Sequence, residues 1–235
     1  MDKLQSVEKY GERYVRDFLG NYIPNKDEYL KDWYKALDFF FGKSFMRGRK
    51  DKLSERFWLA TMKTLETDRP SKGYDRQTLE NRLVTNGVNN GRDRRMVLEV
   101  IDFIFNSLDD FENNIVKYAV SGIKSGKISE VFNRLDGIFE IGDKIACFYL
   151  RDIIMVYQLE SYLKAEDFRY CQPVDTWVIQ TASKLGIVRD TKIPKEEARE
   201  TIIGACLKAN VSPLLFNAGA WIVGARSFDL LLEKI

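Results

Sequence analysis

The sequence contains no histidine and only three cysteines among its 235 residues. Without an imidazole, Ser-His-Asp and Cys-His catalysis are excluded, together with every metal site that needs a histidine ligand. Cys147, Cys171 and Cys206 form no C-x-x-C motif, and they are too few for a four-cysteine zinc site or iron–sulfur cluster. We therefore expect no metal centre. The sparse, odd cysteine count also predicts a reducing, cytoplasmic environment.

Long apolar runs are also missing. Residues 1–5 contain no apolar signal core. The longest uncharged stretch, 209–225, is interrupted by polar residues and a proline, and it is shorter than the ~20 apolar residues that span a bilayer. The formal net charge of +2 creates no strong field over the whole protein, so anion binding must come from local patches. We expect no membrane partner.

Helical periodicity dominates the chain. Apolar residues recur at spacings of three and four, and no convincing alternating strand or internal repeat is found. Ser212-Pro213 is a cap followed by a first-turn proline, which predicts a helix start, and Pro194 is placed in the first turn of another helix. The sequence therefore predicts an all-α protein with a core rich in aromatic residues. The predicted helices are 4–19, 29–41, 53–65, 96–105, 111–120, 128–135, 143–157, 176–185, 195–207 and 213–225.

Two groups of basic residues stand out against the nearly neutral chain. The first group consists of Lys43, Arg47, Arg49, Lys50, Lys52 and Arg56, and the second consists of Arg92, Arg94 and Arg95. Such groups can contact a phosphate backbone, as in nucleic-acid binding. The alternative is a solvated helix face, which groups of charged residues usually form. The sequence leaves both interpretations open.

The segment 138–148 follows the predicted helix 128–135, and it predicts a tight turn with glycine and the start of a second helix. Gly142 allows a backbone conformation that side chains disfavour, and the free N–H groups of the following helix can hold a phosphate. Lys144 lies in the first turn of that helix, where a positive charge is unfavourable and an uncharged amine could act as a nucleophile. An ordinary exposed lysine is the alternative.

A second informative segment is Gln172-Pro173-Val174-Asp175-Thr176. Proline biases the preceding residue towards an extended backbone, and Asp175 is placed to cap the helix that follows. Capping alone explains an aspartate here. A carboxylate that accepts backbone hydrogen bonds is also fixed in direction, which suits an electrostatic stabiliser of a cationic intermediate.

Gly142-x-Lys144-x-Ala146, followed by Val174-Asp175-Thr176-x-Val178, resembles the signature of the helix-hairpin-helix DNA glycosylase superfamily. The resemblance covers about 53–185, and 217–224 is a weak echo of the family's closing helix. The long spacing between the lysine and the aspartate is similar to that of the archaeal 8-oxoguanine glycosylase branch. The chain departs from the family pattern in having Phe139 for the usual proline, Glu140 for the first glycine of the hairpin, and Asp143 beside the lysine.

This resemblance implies a two-lobed fold with the active site in the cleft between the lobes. About 56–185, with the hairpin at 128–150, would form one lobe, and about 1–55 with 186–235 would form the other. Lys144 would attack the sugar C1′ to form a Schiff base, and Asp175 would assist the lysine and stabilise the oxocarbenium charge. The implied activity is excision of a damaged base, first of all 8-oxoguanine, with strand nicking by β-elimination.

The same resemblance implies further site residues and partners. Phe148 and Trp221 would stack on a flipped base, although core packing is an alternative for each. Gly142 would hold a phosphate. The loop before the second basic group would fill the gap left by the base, although an ordinary turn is the alternative for that loop. The expected DNA-binding residues are thus Gly142, Val88, Asn89, Arg92, Arg94 and Arg95. The expected partner is damaged double-stranded DNA, bound by a monomer without any cofactor. If the protein is prokaryotic, the expected location is the cytoplasm, in association with the nucleoid.

Other classes of function remain open at this point. The chain could be a DNA-binding relative without catalysis, or a glycosylase without lyase activity. It could also be a helical interaction scaffold with no role on DNA.

Overall fold

The protein is described from a computed structural model, which covers residues 3–46, 51–67 and 70–232, with side chains for 3–46, 52–67 and 70–225. Within these ranges every regular element is helical and none is a strand, which confirms the all-α prediction. The α-helices are α1 (Lys3–Arg13), α2 (Gly20–Tyr22), α3 (Lys26–Lys31), α4 (Trp33–Ser44), α5 (Asp51–Thr67), α6 (Arg76–Thr85), α7 (Gly91–Ser107), α8 (Ile115–Lys124), α9 (Ile128–Asp136), α10 (Gly142–Tyr157), α11 (Thr176–Lys184), α12 (Lys195–Lys208) and α13 (Pro213–Leu232). A π-helical turn, Tyr14–Leu19, follows α1, and 3-10 turns occupy Asp109–Phe111, Glu160–Tyr162 and Ala165–Cys171.

The chain divides into two compact units. Met1–Pro24 and Leu150–Ile235 form the terminal unit, and Asn25–Tyr149 forms the central unit. The boundaries predicted from the sequence are near 56 and 186. At the second boundary, α11 packs with the end of the chain, since Thr181 Oγ1 donates a hydrogen bond to the carbonyl of Ala220, on α13, at 3.1 Å.

Side-chain caps set the start of several helices. Asp32 accepts a hydrogen bond from the backbone N–H of Tyr34 at 2.8 Å and caps α4, so the predicted helix 29–41 is in fact two helices. Asn114 caps α8 by accepting from the N–H of Lys117 at 2.8 Å, so the helix predicted at 111–120 begins later. These short polar caps outweigh the apolar spacing that runs across them.

Helix α6 is absent from the sequence predictions. Only Leu79 and Leu83 on this helix are buried, so it has little apolar periodicity, and its cap Asp75 is the main local signal. The start of α13 at Ser212-Pro213 is confirmed. Pro194 is the cap residue of α12 rather than a residue of its first turn.

Aromatic side chains fill the core of the central unit. Phe39 and Phe40 on α4 and Tyr149 on α10 are fully buried. The rings of Phe40 and Tyr149 meet edge to face, with centroids 4.9 Å apart. This contact fixes the first half of α10, which carries the Gly142–Lys144 segment, against α4.

Two glycines bring α1 and α13 into close contact in the terminal unit. A Cβ atom on Gly11 would lie 1.9 Å from the carbonyl oxygen of Leu215, and one on Gly219 would lie 2.0 Å from that of Val7. No side chain fits at either position, so these glycines set the separation of the two helices. Trp221 follows Gly219 by two residues on α13.

Candidate functional site

The hairpin turn between α9 and α10 contains two residues with left-handed backbone. Glu140 has φ 68° and Gly142 has φ 31°. Gly142 thus adopts the backbone predicted for it. Glu140 adopts a positive φ in spite of its side chain, at a cost of about 1 kcal/mol. The buried side chains of Ile138 and Ile141 anchor the turn on the inside.

Lys144 lies in the first turn of α10, as predicted, and its side chain is exposed. Acidic residues lie close to it along the chain. Asp143 precedes it and is partly buried. Burial, followed by the charge of Asp143, raises the pKa of Asp136 at the end of α9. The amine is therefore accessible from solvent, and the other charged residues of the turn, Asp136, Glu140 and Asp143, are all acidic.

Phe148 follows Lys144 by one helical turn, and a buried cation lies over its ring. Lys43 Nζ is 4.8 Å from the ring centroid of Phe148 and 5.1 Å from that of Phe39. Lys43 is buried, so it does not present its charge to a phosphate backbone, in contrast to one interpretation of the first basic group. Phe148 is partly buried by the same packing.

Of the other residues in the first basic group, the structure describes the side chains of two. Lys52 and Arg56 are exposed on α5, and the guanidinium of Arg56 lies 5.1 Å from the ring centroid of Phe57. Exposure keeps these two residues available for phosphate contact. Arg47, Arg49 and Lys50 lie outside the described residues.

Arg92 and Arg95 flank the hairpin turn. Arg92 Nε donates a hydrogen bond to Glu140 Oε1 at 2.6 Å, although the arginine side chain is 74% exposed. The Arg95 guanidinium lies 3.9 Å from the ring centroid of Phe139 and pairs with Glu99 at 2.9 Å. Both arginines therefore contact the turn, and both retain exposed surface that a phosphate can reach.

Arg94 and Val88 contribute to the structure of the loop before α7. Arg94 Nη1 donates to the carbonyl of Val88 at 3.1 Å, and its Nε pairs with Glu80 at 3.3 Å. The Val88 side chain is fully buried, so it does not project from the loop to fill a gap in a duplex, in contrast to the expectation for this residue. Asn89 is exposed, and of the two it alone is placed to make such a contact.

Asp175 caps α11, which confirms the predicted cap. Its Oδ1 accepts from the backbone N–H of Val178 at 3.0 Å, and the residue is partly buried. Two buried side chains hold the preceding backbone. Arg199 Nε donates to the carbonyl of Gln172 at 3.2 Å, and Asn217 Nδ2 donates to the carbonyl of Pro173 at 2.8 Å. The turn that carries Asp175 is thus fixed from both sides.

A buried polar cluster formed by Tyr14, Arg151, Asp152 and Asn217 lies next to this turn. Arg151 donates to Asp152 Oδ1 at 2.7 Å and to Asn217 Oδ1 at 2.7 Å. Tyr14 donates to Asp152 Oδ2 at 2.8 Å. Burial opposes the charge of Arg151, but Asp152 and Tyr14 hold its pKa above the ordinary value, and Asp175 adds to this effect. Burial, followed by Asp152, raises the pKa of Tyr14.

Sequence reasoning did not find this cluster. Its members come from α13, α10 and the π-helical turn, and Tyr14 and Asp152 are 138 residues apart. An adjacent Arg-Asp pair inside the apolar face of a helix is the one local signal that could have indicated it. A π-helical turn such as Tyr14–Leu19 is itself often found at functional sites.

Trp221 lies one turn after Asn217 on α13 and is partly buried against the core of the terminal unit. Its ring meets the Tyr14 ring edge to face, with centroids 6.3 Å apart. The small residues before Trp221 do not leave space for a flat ligand, because Gly219 packs on the backbone of α1. Trp221 is therefore accessible to a base only on its own exposed side.

The predicted site residues fall into two groups. Lys144, Phe148 and the arginines lie in the central unit with the hairpin, while Asp175 and Trp221 lie in the terminal unit beside the buried polar cluster. Within the described ranges, no set of three or more Cys, Asp or Glu residues could hold a metal ion. None of the helices in the described part of the chain has the length and apolar character needed to cross a membrane.

Comparison with known proteins gives little information about function. No family model matches the chain, and no solved structure matches it. Over 72 residues, 31% of this chain, it is 35% identical to an uncharacterised protein of Methanocaldococcus jannaschii. The match covers 16% of the length of that protein.

Proposed function

We propose that this protein is a DNA glycosylase with AP lyase activity, which removes a damaged base from double-stranded DNA as a monomer. The observation that carries the proposal is Lys144, an exposed amine in the first turn of the second helix of a hairpin with left-handed backbone at Gly142. The sequence resemblance supplies the expected chemistry. An oxidised purine such as 8-oxoguanine is the proposed substrate.

In the proposed reaction, the uncharged Lys144 amine attacks C1′ of the damaged nucleotide. The bond between C1′ and the base breaks, and the base leaves with the bonding electrons and takes up a proton. The nitrogen, cationic after the attack, loses one proton, and the bond between C1′ and O4′ breaks as the nitrogen lone pair forms the C=N bond. O4′ keeps the electrons of the broken bond and takes up a proton, which leaves a ring-opened, protonated Schiff base. β-Elimination then removes the proton at C2′ and expels the 3′ phosphate, which nicks the strand.

Asp175 has the properties that an electrostatic stabiliser requires. A carboxylate near the sugar lowers the energy of the cationic transition state only if it is already held in position. The cap bond to Val178 and the hydrogen bonds to the preceding turn supply that restraint. Phe148 and the exposed side of Trp221 are the proposed stacking surfaces for the flipped base.

The proposed contacts to the DNA backbone come from the hairpin and from the start of α7. Arg92 and Arg95 have exposed guanidinium groups beside the turn, and Asn89 is exposed in the loop before them. Gly142, which has no Cβ, allows a phosphate to approach the N-terminal N–H groups of α10. Arg94 supports this surface through its bond to the Val88 carbonyl.

Borohydride trapping on duplexes that each carry one lesion tests the proposal. The panel is 8-oxoguanine, thymine glycol, uracil and an abasic site, with Lys144→Ala and Asp175→Ala as variants. We expect a covalent adduct on the abasic duplex, and on one base lesion, that is absent in Lys144→Ala. Lys117→Ala, which removes a lysine of α8, is the matched control and should leave the adduct unchanged.

The alternatives predict different results. Release of free base without an adduct or a nick would identify a glycosylase without lyase activity. Salt-dependent duplex binding with no chemistry would identify a DNA-binding relative. Absence of both chemistry and salt-dependent binding would refute the proposal and leave a helical interaction scaffold.

A further inference from the structure

We infer that Asn217 is a positioning residue, which fixes the turn that carries Asp175 through one hydrogen bond to the carbonyl of Pro173. Its consequence for catalysis rests on the proposed function, whereas its effect on the turn does not. The Asn217 side chain is fully buried, and its Nδ2 lies 2.8 Å from the Pro173 oxygen. Pro173 precedes Asp175 by two residues, with the buried Val174 between them.

The orientation of the Asn217 amide is set by Arg151. A guanidinium can only donate hydrogen bonds, so the amide atom 2.7 Å from Arg151 Nη1 must be the oxygen. The amide nitrogen is then directed at Pro173. The reverse orientation would place two donors together on one side and two oxygens together on the other, so only one orientation satisfies both partners.

Arg151 is itself restrained and cannot readily release the amide. It donates from Nε and Nη2 to Asp152 Oδ1, at 3.0 Å and 2.7 Å, and from Nη2 to the Tyr14 hydroxyl at 3.1 Å. Arg151 and Asp152 are nearly inaccessible to solvent. A buried ion pair with its hydrogen bonds satisfied holds a defined geometry, and removing one partner leaves the other charge unpaired.

The turn transmits this restraint to the Asp175 carboxylate because the backbone between Pro173 and Asp175 can change conformation very little. The ring of Pro173 fixes its φ angle, Val174 is buried, and Asp175 is bound to α11 through Val178. Movement of the Pro173 carbonyl therefore moves Asp175. A displacement of about 1 Å at a catalytic group can reduce a rate by roughly 100-fold.

Asn217→Asp removes the donor to the Pro173 carbonyl, and it also places a negative charge beside Arg151. The carboxylate still accepts from Arg151 but cannot donate to the Pro173 carbonyl. Thr181→Val is the matched control, because it removes a buried hydrogen bond between α11 and α13 that does not involve the turn. Both variants can lower global stability, so each measurement uses an internal reference.

Amide hydrogen exchange tests the structural part without any activity. The N–H of Val178 reports the Asp175 cap, and the N–H of Leu185, bonded to the Thr181 carbonyl at 3.1 Å, reports the other end of α11. We expect Asn217→Asp to raise the ratio of the Val178 to the Leu185 exchange rate at least about 10-fold. Thr181→Val should leave the ratio within about twofold. An unchanged ratio in Asn217→Asp would overturn the inference.

The catalytic part uses single-turnover trapping on the abasic duplex. In the otherwise unmodified protein, we expect Asn217→Asp to slow trapping 10- to 100-fold and to change the duplex Kd by no more than about twofold. In a protein that already carries Asp175→Ala, the same substitution should slow trapping less than about threefold. An equal loss in both backgrounds, or no loss, would overturn the positioning role. If the unmodified protein traps no DNA, the proposed function fails, and the exchange ratio still decides whether Asn217 fixes the turn.

Discussion

Glu140 occupies a left-handed position in the hairpin turn and holds Arg92, and two substitutions separate these features. Glu140→Gly removes both the side chain and the backbone cost. Glu140→Gln removes only the negative charge and keeps a side chain at φ 68°. Both release Arg92 from its ion pair with the carboxylate.

The expected changes in the free energy of unfolding follow from two contributions, the ion pair with Arg92 and the left-handed backbone of Glu140. The ion pair is worth about 0.5 kcal/mol, because Arg92 is largely exposed. The left-handed backbone costs a residue with a side chain about 1 kcal/mol more than glycine. Glu140→Gln should therefore lose about 0.5 kcal/mol, and Glu140→Gly should gain about 0.5 kcal/mol.

Urea unfolding at pH 7 measures these differences, and duplex binding over a range of salt concentrations measures the effect on DNA. If Arg92 gains one phosphate contact, the slope of log K against log salt should steepen by about 0.9 in both variants. Glu112→Gly is the matched control. Glu112 also has a left-handed backbone, with φ 57°, and pairs with Lys117, but it lies outside the hairpin.

Equal stability of the glycine and glutamine variants would refute the claim that the backbone of Glu140 is strained. A salt slope that steepens as much in Glu112→Gly as in Glu140→Gly would show that the change reflects net charge alone. In that case Arg92 would have no specific role at the hairpin.

Three further predictions concern the terminal unit. Gly219→Ala should lower the free energy of unfolding by about 3 kcal/mol in urea, because the new Cβ would lie 2.0 Å from the Val7 carbonyl oxygen. Gln172→Met should raise it by about 1 kcal/mol, because the buried amide atoms of Gln172 have no hydrogen-bond partner among the described residues. Burial raises the pKa of Glu160, which accepts a hydrogen bond from Ser212. The folded state therefore binds this proton more tightly than the unfolded chain. The stability that this group contributes is present at low pH and is lost as the pH rises through the raised pKa. The Glu160→Gln variant should therefore be more stable than the unmodified protein at pH 7, but not at pH 4.

Each of these predictions has an outcome that contradicts it. A loss below 1 kcal/mol in Gly219→Ala would mean that α1 and α13 separate readily. Destabilisation in Gln172→Met would mean that the amide is paired after all. A stability difference for Glu160→Gln that does not change with pH would exclude titration of this carboxyl as its cause.

Local sequence signals determined the helical class and several features of the site. The apolar spacing of α9 and α10, the glycine of the turn and the Asp175 cap depend on residues within a few positions of one another. The structure confirms the all-α class, the first-turn position of Lys144 and the cap by Asp175. The assignment of a DNA glycosylase stays a prediction.

Only the tertiary structure decided which polar residues are buried and paired. Val88 was expected at a DNA surface but packs inside the central unit, and Lys43, a member of the first basic group, is buried there as well. Arg92 forms an ion pair with Glu140. The cluster of Arg151 with Asp152, Tyr14 and Asn217 brings together residues far apart in the chain. Periodicity and caps report neighbours within one or two turns, whereas burial and pairing depend on how distant helices pack. The sequence could therefore identify Asp175, but it could not identify the residues that hold it.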